Sequence, residues 1–330
     1  MGKGKGAARL VFLLFVLSLF CGCEHKAELN SLTFSGMGTV LSVIYAGEKN
    51  ENAENALKKD AETVENELSY YKDSSYVSIL NRDAHEKEVE VPSHVCDLIK
   101  KSLKFGEMSG GVFDITYKST GELWENNGNK IPDDKIIEEK QRFVGADKVL
   151  VNCGENKIQF AGKGVKIDLG GIAKGYAIDR AGEILKQHGV ENFIVNYGGD
   201  MLICGNKGGK PWSIGIKNPD NNSEILKKLE FGSGCRSVAT SGDYERFFVI
   251  EEKNFSHILN PKTGRPVEGS RSVSVIGDDA ITADAAATAV SVALKNEKVV
   301  EKIVEKFRVK IYTLSDGDAT LKEWDFNSEK

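Results

Sequence analysis

The chain of 330 residues has only five histidines, six cysteines and six prolines, and it lacks the short motifs of several large enzyme classes. No G-x-x-x-x-G-K-[ST] motif occurs, which excludes a P-loop, and no G-x-S-x-G motif marks a hydrolase nucleophile. The stretch "GMGTVL" lacks the third glycine and the partner acid of a dinucleotide-binding fingerprint. The formal net charge is −5, so no nucleic-acid partner is expected.

Residues 1–22 are predicted to form an export signal. Lys3, Lys5 and Arg9 precede an apolar run, Leu10 to Phe20, that is too short and too asymmetrically flanked to remain as a membrane span. Removal of this segment takes away three positive charges and no negative one, so the formal charge falls from −5 to −8. Such an acidic body needs a lipid anchor to stay at an anionic membrane.

A small residue, Gly22, stands directly before Cys23 and resembles the lipobox of bacterial lipoproteins. That resemblance implies cleavage before Cys23, acylation of its sulfur and a position on the periplasmic side of the cell membrane. Phe20 departs from the aliphatic residue that is usual there. The alternative is a soluble secreted protein, and in either case residues 23–30 are predicted to be a polar tether.

The remaining four cysteines, Cys96, Cys153, Cys204 and Cys235, show no pair with metal-ligand spacing. The sequence leaves open whether any of them are bridged, and packed thiols are the expected state.

Hydrophobic periodicity alternates between strands and helices without an internal repeat or a Pro/Ser-rich linker, which favours one α+β domain over 31–330, in one or two lobes. Helices are predicted at about Pro92–Met108, Ile172–His188 and Asp284–Phe307. Three short strands are predicted within 148–168, the last of them "VKIDL". Further strands are predicted at Phe193–Tyr197, Trp212–Ile216, Ser237–Thr240, Phe247–Ile250, Ser272–Ile276 and in "VKIYTL".

His257 is the only histidine whose surroundings favour function. It lies in "NFSHILNPKTGRPV", between a predicted strand and a proline–glycine turn, and rigid loops of this kind often carry functional residues.

Asp284 and Thr288, in "ITADAAATAVSVAL", are four residues apart and therefore share one helical face. A carboxylate and a hydroxyl are hard oxygen donors that suit Mg²⁺. The alternative is a capped helix with Thr282 as N-cap and Thr288 merely packed, and this stretch alone favours that alternative.

Acidic residues next to glycines recur at the predicted ends of elements. Asp114 lies in "SGGVFDITYKSTGELW". Asp168 lies in "KIDLGGIAKGYAIDRA", just before a glycine turn that Lys174 follows about one helical turn later; "NYGGD" and "ATSGDYERF" add two more acids. Each is most simply a turn, but their accumulation favours a site.

Eight stretches occur in the order and approximate spacing of the ApbE family, which the chain resembles over nearly all of residues 31 to 315. They are "GMGT", "LSYYKDSSYVSILN", "GGVFDIT", "DLGGIAKGYAID", "NYGGD", "TSGDYERFF", "HILNPKTGRP" and "TADAAATA". Members of that family are flavin transferases, exported lipoproteins that take FMN from FAD and attach it to a protein threonine. The resemblance implies a single α+β, T-fold-like domain.

The resemblance also implies roles for individual residues. Asp168 would contact the flavin nucleotide, Lys174 would reach FAD, and the main-chain carbonyl of Gly171 would be a Mg²⁺ ligand. A glycine turn lets main chain approach a pyrophosphate and its metal closely, and a lysine supplies a point charge to the phosphates. Further FAD contacts would come from Met37, Tyr71, Val112, Phe113, Asp114 and Ile258.

Asp284 and Thr288 match the metal-binding helix of the family, which reverses the preference for a capped helix. Ala287 matches a metal-site position that is an aspartate in some relatives, so a second metal would lack a side-chain ligand here. Tyr71 would stack on the isoalloxazine ring, although Tyr70 next to it leaves that assignment uncertain by one residue.

The resulting prediction is Mg²⁺-dependent transfer of FMN from FAD to an acceptor threonine with release of AMP. His257 is the predicted general base because its unperturbed pKa lies nearest the working range, with Asp114 and Asp284 as alternatives. Acceptors would be subunits of membrane redox pumps. Two other functions stay open: an FAD pyrophosphatase that releases free FMN, and a non-catalytic FAD-binding lipoprotein.

Overall fold

A computed structural model describes residues 28–125, 130–242, 247–315, 317–318 and 320–326. The predicted signal, Cys23 and most of the tether lie outside these residues, as does part of "TSGDYERFF". Within the described ranges, no helix is both long enough and apolar enough to cross a membrane.

The elements alternate along the chain as α+β. The helices are α1 (Glu51–Leu68), α2 (Tyr76–Asp83), α3 (Ser93–Met108), α4 (Lys118–Glu125), α5 (Asp134–Gln141), α6 (Ala173–Gln187), α7 (Ala280–Ala293) and α8 (Glu297–Phe307). The strands are β1 (Leu29–Gly36), β2 (Thr39–Ala46), β3 (Val89–Glu90), β4 (Val149–Asn152), β5 (Lys157–Phe160), β6 (Phe193–Tyr197), β7 (Asp200–Cys204), β8 (Trp212–Asn218), β9 (Asn221–Phe231), β10 (Cys235–Ser241), β11 (Phe247–Ile250), β12 (Lys253–Ser256), β13 (Leu259–Asn260), β14 (Arg265–Pro266), β15 (Ser270–Gly277), β16 (Lys310–Ser315) and β17 (Lys322–Asp325).

An eight-stranded antiparallel sheet, in the order β1-β2-β6-β7-β10-β15-β16-β17, forms the centre of the fold. Alternation along β2 buries Leu41, Val43 and Tyr45 on one face, as the period of two of a strand requires. The main hydrophobic core joins this face to helices from both halves of the chain. One core of this kind makes a single domain, as predicted. Because β1 begins at Leu29, the last two residues of the predicted tether belong to a strand.

Helices α6 and α7 cross closely against the sheet. A Cβ atom on Gly175 would lie 2.3 Å from the carbonyl oxygen of Ala280, so this crossing requires glycine. The Asp179 carboxylate accepts hydrogen bonds from the main-chain N–H groups of Ala280 and Ile281 (2.8 and 3.0 Å). The start of α7 is thereby fixed against α6.

The prediction of a strand at "VKIDL" was wrong. The buried side chain of Asn81 donates to the carbonyl of Ile167 (2.8 Å) and accepts from its N–H (2.7 Å). The N–H of Asp168 donates to the carbonyl of Ile115 (2.9 Å). A side chain and a loop therefore satisfy the backbone groups that a neighbouring strand would otherwise pair.

The single long helix predicted from Asp284 to Phe307 is two helices. α7 ends at Ala293, and α8 starts after Asn296, whose N–H donates to the carbonyl of Ala293 (2.7 Å). The N-cap of α7 is also Asp279 rather than Thr282, because the Asp279 carboxylate accepts from the Thr282 N–H (2.8 Å). The other two predicted helices are confirmed as α3 and α6.

The expectation of packed thiols was wrong as well. Cys96 is bonded to Cys153, and Cys204 is bonded to Cys235 across neighbouring strands β7 and β10. The bonded cysteines are 57 and 31 residues apart in sequence. Separations of this size match no recognisable spacing motif, so the sequence alone could not show which cysteines pair.

Candidate functional site

One cavity of about 950 Å³ collects eleven of the thirteen predicted site residues that lie in the described ranges. They are Tyr71, Val112, Phe113, Asp114, Asp168, Gly171, Lys174, His257, Ile258, Asp284 and Thr288. Met37 and Ala287 do not line it. Met37, with φ of 47°, and Gly38 form the two-residue turn between β1 and β2, and it is Gly38 and Thr39 that reach the cavity. Ala287 is 1% exposed, in the core face of α7.

Asp168 ends an irregular segment at the cavity wall. One carboxylate oxygen accepts from the N–H of Gly170 (2.7 Å), and the other accepts from the hydroxyl of Tyr117 (3.2 Å). Helix α6 follows at once, so the positive end of its dipole lies at this turn. The N–H groups of Ala173 and Gly175 already donate to the Leu169 carbonyl (2.8 Å) and to Asp284 (2.9 Å). The turn and the helix start together make a suitable place for phosphate oxygens.

Lys174, in the first turn of α6, forms an ion pair with the buried carboxylate of Asp200. The other oxygen of Asp200 accepts from the N–H of Thr240 (2.9 Å). Sequence reasoning singled out "NYGGD" but gave Asp200 no role. The sequence signal was the position of Asp200 directly after two glycines, Gly198 and Gly199, both of which have positive φ in the structure. Its partner, Lys174, is identified only by the structure.

Asp284 and Thr288 face the cavity from α7, one turn apart. The Asp284 carboxylate is 5% exposed and accepts from the N–H of Gly175 (2.9 Å). Burial raises its pKa to about 7; Lys174 opposes this rise and Asp200 adds to it. A bound cation would reverse such a shift, because it stabilises the ionised carboxylate.

Mg²⁺ prefers hard oxygen ligands, and the donors at this point fit it: a carboxylate, a hydroxyl and the main chain at Gly171. A Cβ atom at Gly171 would lie only 3.1 Å from the Thr288 hydroxyl oxygen, so glycine keeps main chain and hydroxyl close together. Nowhere in the described ranges do three or more His, Cys, Asp or Glu side chains form a group that could hold a metal. Hydroxyl, main-chain and substrate oxygens would therefore complete the ligand set.

Asp114 lies at the cavity edge, but its carboxylate already has local partners. It accepts from both the N–H and the hydroxyl of Thr116 (2.8 and 2.5 Å). Burial raises its pKa, and these hydrogen bonds oppose that rise. Its geometry is that of a cap for the short helical turn at Ile115–Tyr117, which makes it a poorer candidate base than His257.

His257 and Ile258 enter the cavity from the loop between β12 and β13. His257 is half-buried and Ile258 is 6% exposed. The loop is held from both sides, because the Ile258 N–H donates to the Ser256 hydroxyl (3.1 Å) and its carbonyl accepts from Val267 (2.9 Å). The imidazole is thus presented on a fixed backbone.

Tyr71 is 78% exposed at the cavity mouth, and its ring stands edge-on to Tyr70 at 5.6 Å between centroids. Tyr70 is directed into the protein: its hydroxyl donates to Glu122 (2.7 Å), and the Lys118 ammonium lies 3.8 Å from its ring centre. The geometry therefore makes Tyr71, not Tyr70, the ring available for stacking on a planar ligand.

Sequence reasoning missed a charged group beneath these rings. Lys118 is fully buried, yet its ammonium lies 2.6 and 2.7 Å from the two carboxylate oxygens of Glu125 and 3.8 Å from Asp168. Tyr117 and Glu125 both line the cavity. The only signal was the spacing of Lys118 and Glu125, seven residues apart on one face of α4, which is also typical of solvent-exposed pairs.

Known proteins resemble this chain over most of its length. The sequence profile of the ApbE family matches residues 37–312. The FAD:protein FMN transferase of Haemophilus influenzae is 29% identical over 326 residues, which cover 94% of this chain and 92% of that protein.

Two solved structures share the predicted α+β fold. The ApbE protein from Thermotoga maritima superposes with a TM-score of 0.82 at 34% identity, covering 91% of this chain and 97% of that one. The flavin transferase ApbE from Vibrio cholerae, at 24% identity and a TM-score of 0.78 over 91% of this chain and 98% of that one, shows the fold alone. The profile match and the likeness to the Thermotoga maritima protein show that the chain belongs to the ApbE family.

Proposed function

We propose that the protein transfers FMN from FAD to a threonine hydroxyl of an acceptor protein, with Mg²⁺, and releases AMP. The observation that carries this proposal is one cavity of about 950 Å³ that is lined by an exposed aromatic ring, a glycine turn before a helix, and carboxylate and hydroxyl oxygens. The family to which the chain belongs, and the name of its Haemophilus influenzae relative, support it.

Different residues of the cavity bind different parts of FAD. Tyr71 stacks on the isoalloxazine ring, and the buried Val112, Phe113 and Ile258 supply apolar surface. The turn after Asp168 and the start of α6 receive the pyrophosphate, with Lys174 as the cation beside it. Asp200 holds Lys174 at the cavity wall until substrate phosphates compete for it.

Asp284, Thr288 and the main chain at Gly171 would hold Mg²⁺. When bound, the ion offsets negative charge on the pyrophosphate and on the leaving AMP.

His257 is the proposed base. The acceptor threonine oxygen forms a bond to the phosphorus on the FMN side, the bond between that phosphorus and the bridging oxygen breaks, and AMP leaves with both bonding electrons. The hydroxyl proton passes to the imidazole. Neutral imidazole accepts this proton near pH 7 because the unperturbed pKa of histidine lies close to that value.

Mass spectrometry tests this function against the two alternatives. A threonine-containing domain from a membrane redox-pump subunit is incubated with the protein, FAD and Mg²⁺. A flavinylated threonine together with AMP supports transfer. Free FMN and AMP without an adduct would instead make the protein an FAD pyrophosphatase, and unchanged FAD would make it a binding lipoprotein.

We also propose that the protein is exported and held on the periplasmic side of the membrane by an acyl chain on Cys23. The lipobox-like sequence and the two disulfides support this location, because disulfides persist in oxidising compartments. Cys23→Ala should abolish incorporation of a labelled fatty acid, while Cys21→Ala, the neighbouring control, should keep it. Equal labelling of the two variants would contradict the proposed anchor.

A further inference from the structure

The flavin end of the cavity contains an ion pair that the proposed reaction does not use. The Glu125 carboxylate lines the cavity with its side chain 26% exposed, while Lys118, its partner, is fully buried behind it. Both Glu125 oxygens contact the same ammonium group, at 2.6 and 2.7 Å. A carboxylate with both oxygens held by one ammonium group is fixed in direction, which a solvent-exposed pair does not achieve.

The same ammonium group ties Glu125 to the stacking ring. It lies 3.8 Å from the ring centre of Tyr70 and 5.9 Å from that of Tyr71. The carboxylate that holds this ammonium is therefore close to the Tyr71 ring, and both side chains line the same cavity. A planar ligand stacked on Tyr71 can bring one of its edges to Glu125.

The edges of an isoalloxazine ring differ in chemistry. The pyrimidine edge carries an N–H donor, whereas the benzenoid edge carries two methyl groups. A carboxylate accepts a hydrogen bond from the first and is left without a partner against the second, which costs free energy in a partly desolvated site. The acid therefore favours one orientation of the ring.

We propose that Glu125 is the acceptor for the pyrimidine N–H of the flavin and that Lys118 is a positioning residue that holds Glu125. This rests on the proposed function, since it assumes that the flavin stacks on Tyr71. The hydrogen bond to Glu125 would make binding depend on the identity and orientation of the ring, which stacking and phosphate binding alone do not. Lys118 touches no substrate and acts on the flavin through Glu125; its longer contact, 3.8 Å to Asp168, lies at the phosphate turn, and any effect through it would appear as a change in ADP binding.

The test compares ligands with and without the relevant group, using the full-length protein. Glu125→Gln should weaken FAD binding about tenfold, as expected for a hydrogen bond to a charged acceptor, and should leave competition by ADP, which lacks the ring, unchanged. FAD methylated at the pyrimidine nitrogen should bind wild type about tenfold more weakly than FAD. It should bind Glu125→Gln no worse than FAD does.

Lys118→Met keeps the buried stem and removes the charge. It should also weaken FAD binding, but with little added effect in the Glu125→Gln background, because the two residues act as one unit. Glu122→Gln is the matched control, since Glu122 lies on the same helix and does not line the cavity; its FAD affinity should stay within about twofold of wild type.

Three results would overturn the inference: FAD affinity unchanged in Glu125→Gln, the same loss for ADP as for FAD, or additive effects of the two substitutions. A wild-type protein that binds FAD normally and transfers FMN while Glu125→Gln is unaffected refutes this inference alone. A wild type that neither binds FAD nor transfers FMN refutes the proposed function instead.

Discussion

A Cβ atom placed on Gly171 would lie 3.1 Å from the hydroxyl oxygen of Thr288 and 3.3 Å from the ring of Phe113. The turn before α6 therefore meets both the face of α7 that carries Asp284 and Thr288 and the apolar wall of the cavity. A methyl group at position 171 would require Thr288 or Phe113 to shift by a few tenths of an ångström. The glycine therefore sets how closely the turn approaches these two side chains.

Gly171→Ala should accordingly lower kcat/KM for FMN transfer about ten- to a hundredfold, because small displacements of a positioned reacting group are costly. The apparent Mg²⁺ requirement should rise as well. Gly162→Ala is the control, since a Cβ atom there would meet nothing within 4 Å, and its rate should match wild type. A Gly171→Ala enzyme with wild-type rate and Mg²⁺ dependence would contradict this reading of the turn.

Asp284→Ala should abolish Mg²⁺-dependent turnover, because it removes the carboxylate of the proposed donor set. Asp284→Asn is the sharper variant: it keeps an oxygen to accept from the Gly175 N–H but removes the charge. We expect it to remain folded and to require far more Mg²⁺ for any residual rate, as measured by titrating the metal in a flavinylation assay. Full activity of Asp284→Ala at ordinary Mg²⁺ would remove Asp284 from the metal site.

Asp179 should make the free energy of unfolding decrease as the pH rises. Burial raises its pKa from 3.8 to about 6, against the two main-chain hydrogen bonds that it accepts from the start of α7. Between these two values the folded state binds more protons than the unfolded state, so this residue's contribution is fully present below pH 3.8 and is lost as the pH rises through 6.

Urea unfolding of wild type and Asp179→Asn isolates this contribution from all other titrating groups. The free energy of unfolding of wild type, relative to the variant, should fall by on the order of 2 kcal/mol between about pH 4 and pH 7. A relative stability that rises over this range would contradict the assignment. Asp147→Asn, at an exposed side chain, should show no comparable difference.

How far the sequence predicts this protein depends on where the relevant partner lies. Helix α6 was predicted within one residue at each end, because its periodicity and the glycine after it are local. The strand at "VKIDL" was predicted wrongly because the partner of Ile167 is the side chain of Asn81, 86 residues away in sequence. The prediction of unbridged cysteines was wrong for the same reason, since each disulfide joins segments that are distant in sequence.

The candidate site follows the same division. Glycine-flanked acids can be found in the sequence, and the family resemblance assigned roles to most of them. Neither route identified Lys118, because a buried lysine has the same local pattern as an exposed one until Glu125 and Tyr70 are placed around it. Nor could the sequence decide between Tyr70 and Tyr71, which differ only in the direction that the chain takes after α1.

We expect Tyr71 to influence the partition between FMN transfer and hydrolysis. Its ring is 78% exposed, so removing it leaves the Asp168 turn, Lys174 and the metal donors in place. Loss of an offset-stacked ring should weaken FAD binding about tenfold or less. With FAD exchanging faster, water competes better with the acceptor threonine for the phosphorus.

Tyr71→Asn should therefore release proportionally more free FMN and flavinylate less acceptor than wild type, while Tyr71→Phe, which keeps the ring, should behave as wild type. Quantifying free FMN, AMP and flavinylated acceptor in one reaction measures this partition. Unchanged FAD affinity and partition in Tyr71→Asn would show that Tyr71 does not stack on the flavin.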